Sequence, residues 1–446
     1  MKKLFTFSIA LALAAHLMAD SVRVFKCSED GIPGQTEPQF MGLSMSADGH
    51  YICGTVQQGG GIFIADSFTG SVKFNLDGEY SSELRSVDNF GKAIGFIDDD
   101  GVLYSFDTEE ISSLNVPDGY RYVLGEGLSD DGSVMVGELT VQSFDTMAAF
   151  SAGDGAWTPL PNPSDAELGD LKDKFSNSSA AKFVSSDGKV ILGHMGSFTY
   201  PIVWTRNDAG EYIPDFFPAR FVKAVEADRY DDSKPLYGIT AMFTCMSHNG
   251  KYVGTVGLIA NETNTDTRLV PVIYNTEDKT LKIYSESQTI DAMDMGLYPR
   301  AIADDGTFIG TVASPSSPDG NLGAFIMKAG DEQAQLFVEV FPAFNEQLGE
   351  SDLIGQNLPT GISADGNYIL GYTYYSADYD IDSDDPAYYI TYVLSVDDSG
   401  VDQIASGNSV APVAVFSIDG RSLTHMQKGL NIVRNSDGSV SKILKR

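Results

Sequence analysis

Gly361-Ile362-Ser363-Ala364-Asp365-Gly366-Asn367-Tyr368-Ile369-Leu370-Gly371 joins a short apolar run, a Ser-x-Asp-Gly turn, a second apolar run and a closing glycine. Asp-Gly between apolar runs favours a tight hairpin, because glycine accepts the positive φ that such turns demand. The serine can hydrogen-bond backbone groups of the turn, and the closing glycine suits a strand with little room for a side chain. Related stretches at Leu43–Gly54, Arg85–Gly95, Gly127–Gly137, Phe183–Gly193, Cys245–Gly254 and Ala301–Gly310 bring the copies to seven. Their turn glycines, Gly49, Gly91, Gly132, Gly188, Gly250, Gly306 and Gly366, are spaced by 42, 41, 56, 62, 56 and 60 residues. These periods are too long for the coils of a β-helix and suit four-stranded propeller blades with variable loops.

Composition agrees with many short strands. Glycine (45 residues) and aromatics (11%) run high, and long helix-forming segments are missing. The expected class is all-β: a seven-bladed β-propeller, favoured over a sandwich or solenoid, followed by a small C-terminal β domain. Each blade reads as strands A to D from the axis outward. In the last copy A ends at Ser363, B is Tyr368–Tyr375, C is Tyr388–Ser395 and D is Val401–Ala405. Ser21–Cys27 also alternates enough to be a strand. The copies vary: Asn89-Phe90-Gly91 loses the aspartate beside glycine, Ala303 replaces the serine, and His248-Asn249-Gly250 carries asparagine. Such variation marks the repeated aspartate as scaffold and directs the search for function to the opposite face.

The Ser-x-Asp-Gly hairpin followed by an apolar strand resembles the repeat of TolB-type propellers, and Pro201-Ile202-Val203-Trp204 resembles extracellular propeller repeats. The resemblance spans about residues 40–405 in rhythm and implies a fold, not an activity. The tail resembles C-terminal sorting domains of the type IX (Por) secretion system. The matching segments are Val413–Ile418, Asp419-Gly420-Arg421, Lys428–Arg434, Ser436-Asp437-Gly438 and Lys442–Lys445. That resemblance implies export across an outer membrane and engagement of a secretion machinery; the competing reading is that these strands finish the propeller. Lys2 and Lys3 before the apolar run Leu4–Ala15, with Ala19 as a small cleavage residue, read as a signal peptide. The expected organisation is therefore signal peptide 1–19, propeller 20–407 and sorting domain 408–446. The expected location is secreted or outer cell surface, or periplasm if the tail belongs to the propeller. No later stretch reads as membrane-spanning.

Net charge is −33, and since 1–19 carry +2 and 408–446 carry +4, residues 20–407 hold −39. Such a surface repels nucleic acid and anionic lipid. Cys27, Cys53 and Cys245 form neither a disulfide framework nor a metal pattern; Cys53 and Cys245 sit in apolar runs and read as buried thiols, with a Cys27–Cys53 bridge left open.

If the strand assignment holds, the long connections share one face: D–A segments Pro161–Ala181, Pro214–Gly238, Ser285–Pro299 and Pro342–Pro359, and B–C segments Ile259–Arg268, Ala313–Asn321 and Ser376–Ala387. Insertions on one face of a repeat array commonly build its binding surface. On or beside these segments Phe216, Tyr230, Tyr298, Tyr374, Tyr375 and Tyr379 are candidate ligand-binding aromatics, suited to sugar rings or a protein partner and equally to packing loops onto blades. Asp378, Asp380, Asp382 and Asp384 alternate in one acidic loop and are candidate calcium ligands. The glycine that turns an EF-type loop is missing, so a plain exposed acidic loop competes with that reading, and no other cofactor is expected. The histidines suggest no nucleophile–base pair. Three functional readings result: a propeller binding a glycan, peptide or protein, a glycoside hydrolase using carboxylates on the long-loop face, and a structural surface-layer component that self-associates.

Overall fold

The computed structural model describes residues 21–25 and 39–396, except 58–59, 79–80, 142–144, 154, 170–177, 197–199, 219–238, 261–266, 285–295, 315–316, 332, 342–343, 345–355 and 376–387, together with tail strands between 412 and 445. The chain divides into two compact units, Val22–Leu394 and the remainder, Met1–Ser21 with Ser395–Arg446.

The first unit is a seven-bladed propeller of four-stranded sheets. The A strands are Gln39–Met45, Ser82–Val87, Tyr122–Leu128, Ser179–Val184, Ile239–Met246, Gly296–Ile302 and Gln356–Ile362 in blades 1 to 7. In blades 1 to 6 the four strands are consecutive in sequence. Blade 7 is different. Its order is Ser21–Phe25, Tyr388–Ser395, Tyr368–Tyr375, Gln356–Ile362, so the outer position expected for Val401–Ala405 is taken by the N-terminal strand. Residues 401–405 lie outside the described residues. This exchange lets backbone pairing join the two ends of the propeller's chain and leaves no gap between blades 7 and 1.

The core lies between blades. Phe25, Phe40, Phe63, Leu370 and Val393 pack blade 7 on blade 1, and Val134, Val136, Ile191, Ile202 and Trp204 pack blade 3 on blade 4. A middle strand is covered on both faces, which is why Gly61–Asp66 is buried at every position and reads as a continuous apolar run rather than an alternating one. Cys53 and Cys245 are buried free thiols, as their apolar surroundings predict, and burial pushes Cys245 up to about 12.

The turn repeats its hydrogen bonds. In blade 7, Ser363 Oγ donates to Asp365 Oδ1 at 2.7 Å and accepts from Tyr368 N at 2.9 Å, while Asp365 Oδ1 accepts from Asn367 N at 3.0 Å. Gly366 sits at φ 76°, where a Cβ is strained. In blade 2 the carboxylate is moved two positions upstream: Asp88 Oδ1 accepts from Phe90 N at 2.9 Å and Lys92 N at 2.8 Å, replacing both serine and aspartate. Ser363→Ala removes two bonds from a fully buried position and is expected to cost about 1–2 kcal/mol in urea unfolding; a change within about 0.3 kcal/mol would show that the aspartate alone holds the turn.

The tail forms its own four-stranded sheet, in the order Ser422–Leu423, Pro412–Ser417, Gly429–Asn435, Val440–Lys445. The described tail strands pair with one another.

Candidate functional site

Every A strand breaks register with its B strand at the same place. The skipped residues are Leu43, Arg85, Glu126, Lys182, Arg300 and Thr360 in blades 1 to 4, 6 and 7, and blade 5 has a longer break between Thr240 and Cys245. Each skipped residue stands six positions before its turn glycine. A β-bulge re-aims a side chain and leaves its residue out of the ladder. The closing glycine on the facing B strand makes room for it. A Cβ on Gly54, Gly95, Gly137, Gly193 or Gly310 would come 1.9–2.1 Å from the carbonyl oxygen of Met41, Glu83, Leu124, Ala180 or Tyr298, two residues before each bulge.

The bulges gather charge. Glu126, whose side chain is 3% exposed, is paired with Lys182 Nζ at 2.6 Å and with Arg85 Nη1, so blade 3 is clamped to blades 2 and 4. Arg85 Nε also donates to Glu83 at 2.9 Å, and its guanidinium lies 4.7 Å over the Phe96 ring. Burial, more than its charged neighbours, raises Glu138 above the usual carboxylate range. The equivalent position on the neighbouring blade's B strand is His194, 6% exposed, which burial and then Lys182 push down to about 4.

A neutral His194 in the fold and a titrating one in the unfolded chain make stability depend on pH. Its contribution is complete above pH 6.5 and is lost as pH falls toward about 4, a span worth about 3 kcal/mol. Between pH 7 and pH 4.5, wild type is expected to lose about 2 kcal/mol more than His194→Gln in urea unfolding. Equal losses would remove His194 from the acid response.

A second ring lies at the x position of each Ser-x-Asp-Gly turn, occupied by Ala47, Asn89, Asp130, Ser186, His248, Asp304 and Ala364. These turns bond blade to blade around the axis. Asp48 N donates to Asn89 Oδ1 (3.2 Å), Asn89 N to Asp130 O (3.0 Å), Ser186 Oγ to Asp130 Oδ2, and Ser186 N to His248 O (2.6 Å). Asn249 N donates to Asp304 Oδ1 (2.8 Å), Asp304 N to Ala364 O (3.0 Å), and Ala364 N to Ala47 O (2.7 Å), which closes the circle. Across it, His248 Nδ1 lies 3.1 Å from Asp130 Oδ1. Burial opposes its protonation, but the bond to Asp130 and the charges of Asp130 and Asp304 outweigh burial and raise it. The scaffold reading of the repeated turn therefore holds, with the variable x position as its inter-blade fastener.

Of the residues expected at the site, the side chains of Phe216 and Tyr298 are described. Phe216 is 4% exposed with its ring 6.1 Å from Tyr200, and Tyr298 is 4% exposed on the A strand of blade 6. Both pack inside the fold. The neighbouring Phe217 stacks on Tyr274 at 4.5 Å, and Phe344 meets Tyr392 edge-on at 5.2 Å, so described aromatics of the D–A segments seal the gaps between blades. Tyr374 and Tyr375 end the B strand of blade 7, with side chains outside the described residues. Tyr230, Tyr379, Asp378, Asp380, Asp382 and Asp384 also lie outside them. Among the described residues no group of His, Cys, Asp and Glu could hold a metal ion, and no helix is long and apolar enough to cross a membrane.

No protein-family model matches the chain, and no curated protein matches it. Among solved structures it is similar to TolB from Acinetobacter baumannii, at 12% identity and a TM-score of 0.39, over 65% of this chain and 63% of that one. It is also similar to the β-propeller domain of the Trilobed protease from Pyrococcus furiosus, at 9% identity and a TM-score of 0.44, over 82% and 99% of the two chains. For dipeptidyl peptidase 4 from Porphyromonas gingivalis the identity is 9% and the TM-score 0.38, over 74% and 50%. The seven-bladed architecture rests on this chain's own sheets.

Proposed function

We propose that this chain is an exported propeller that binds a glycan, peptide or protein through its long-loop face, and that its tail is a sorting domain for type IX secretion. The observation that carries the first part is the asymmetry of the two faces. On the A–B side the connections are short and uniform, as in 46–50, 129–133 and 363–367, and that side is fastened by the ring of turns. On the other side Pro159 is followed by 160–178 before Ser179, Asp215 by 216–238 before Ile239, and Tyr375 by 376–387 before Tyr388. Extra chain on one face of a rigid repeat array is where such arrays carry binding residues.

A glycan array and a peptide library, screened with the mature chain and with a variant in which 376–387 is replaced by a short Gly-Ser linker, test this reading. Saturable binding without turnover, lost in the variant, is the expected result. Turnover of a glycan abolished by one carboxylate substitution would replace it with a hydrolase. For the tail, deletion of 408–446 is expected to trap the protein in the periplasm, and unchanged export would remove the sorting role.

A further inference from the structure

The residue before each turn glycine is polar in six copies, Asp48, Asp131, Asp187, Asn249, Asp305 and Asp365, and is Phe90 in blade 2. Asp88 already supplies the carboxylate of that turn, so the turn does not need Phe90. Its side chain stands 69% exposed, the most exposed large apolar group among the described residues. Burial in the fold therefore does not account for a phenylalanine there. Beside it a strip of rings crosses three blades. Tyr368 of blade 7, Phe68, His50 and Tyr51 of blade 1 and Phe106 of blade 2 follow one another at centroid distances of 5.3, 4.8, 4.3 and 5.4 Å. All five are partly exposed. The residues on either side of Phe90 tie it to this strip: Asn89 Oδ1 accepts from Asp48 N at 3.2 Å, and a Cβ on Gly91 would stand 2.9 Å from Tyr51 Cε1 and 3.0 Å from Phe106 Cβ. We propose that this strip, on the face opposite the long loops, docks an extended, arginine-bearing peptide segment of a protein partner.

Charge selects the occupant. The turns that carry the strip, residues 46–50, 66–70, 88–92, 106–110 and 363–368, hold seven aspartates and glutamates against Lys92. Arg23, which donates to the Phe68 carbonyl at 2.6 Å, and Lys73, paired with Glu109, bring the cations to three and leave the balance at −4. Burial first, and then the charges of Asp107, Asp66, Asp48 and Asp88, raise the pKa of the Tyr51 hydroxyl, so carboxylates surround the middle of the strip. A guanidinium suits both parts of such a surface, because it stacks on aromatic faces and pairs with carboxylates through a planar fork. A neutral sugar uses the rings and gains nothing from the acids. A metal ion or polyamine uses the acids and leaves Phe90 in water. Nucleic acid is repelled, and so is a second copy of this chain, at −33 overall. The five rings trace at most about 20 Å, the reach of about six extended residues.

Isothermal titration of the mature chain with an acetylated, amidated hexapeptide of alternating arginine and phenylalanine tests the docking. The controls are the same peptide with glutamate for arginine, and maltohexaose. The arginine peptide is expected to bind saturably and the two controls not at all. Phe90→Asp gives blade 2 the residue that five other copies carry at this place, so its urea midpoint is expected to stay at the wild-type value. The variant also adds a negative charge. A general attraction to an acidic protein would then hold or tighten the peptide, whereas loss of the ring is expected to weaken it at least about fivefold. Should Phe90→Asp fail to fold, Asp107→Asn, at an exposed position, replaces it, with a weakening of at least about threefold expected. No binding of the arginine peptide, equal binding of either control, or unchanged or tighter binding in the folded variant would each overturn the proposal. Linker replacement of 376–387 is expected to leave peptide binding unchanged. Its loss there would move the peptide to the long-loop face, overturning this docking and leaving the long-loop reading in place.

Discussion

Glu126→Ala is expected to destabilise the propeller by about 3 kcal/mol, the low end of the range for breaking a buried pair. Glu126 is 3% exposed and is shared by Lys182 at 2.6 Å and Arg85, so its removal leaves two cations facing each other with their common counter-charge gone. The cost falls at the low end because Arg85 and Lys182 are themselves 27% and 21% exposed and water can reach part of each. Urea unfolding of the single variant, compared with a triple variant carrying Arg85→Met, Glu126→Leu and Lys182→Met, separates the cost of an orphaned charge from the worth of the cluster. The triple variant is expected to be the more stable of the two, because well-packed apolar groups replace a buried ionic triad at little cost. A Glu126→Ala effect below about 1 kcal/mol would place the triad with exposed ion pairs and would sink the clamp between blades 2, 3 and 4.

The architecture is legible in Gly361–Gly371 because its information is local. Asp365-Gly366 dictates a turn through the positive φ of Gly366, and the apolar runs on either side dictate paired strands, so counting copies counts blades. The closure is legible only in part. Ser21–Phe25 alternates like a strand, but its place beside Tyr388–Ser395 depends on a contact between the two ends of the propeller's chain, which no local pattern encodes. The axial rings are harder still. A bulge leaves no mark in hydrophobic periodicity, and the x position looks like free variation when each turn is read alone. One signal was present: Arg85, Glu126, Lys182 and Arg300 interrupt A-strand runs at a constant distance from the turn glycine. Charges in phase with a repeat point to a shared structural position, whereas charges on drifting loops do not. Phe216 and Tyr298 show the opposite case. Their neighbourhood in the sequence suggests a loop surface, and their burial is set by packing between blades.

Gly193→Ala is expected to be a severely damaging change, at about 3 kcal/mol or more, the upper range for overpacking. The added Cβ would stand 2.0 Å from the Ala180 carbonyl oxygen and 2.9 Å from the Ala181 Cα. Both are backbone atoms, so no rotamer change relieves the clash; the A strand itself must move. It is held there by the bulge at Lys182, and flattening the bulge turns Lys182 away from Glu126. Gly153→Ala is the control. Gly153 has φ 73°, but a Cβ added there would meet nothing within 4 Å, so only the left-handed backbone is penalised, at about 1–2 kcal/mol. A further consequence separates local crowding from loss of the bulge. If Gly193→Ala displaces Lys182, its effect and that of Glu126→Ala overlap, and the double variant is expected to fall short of the sum of the singles by more than about 0.5 kcal/mol. Strict additivity, or a Gly193→Ala cost no larger than that of Gly153→Ala, would show that the closing glycines and the axial charges are independent features of the repeat.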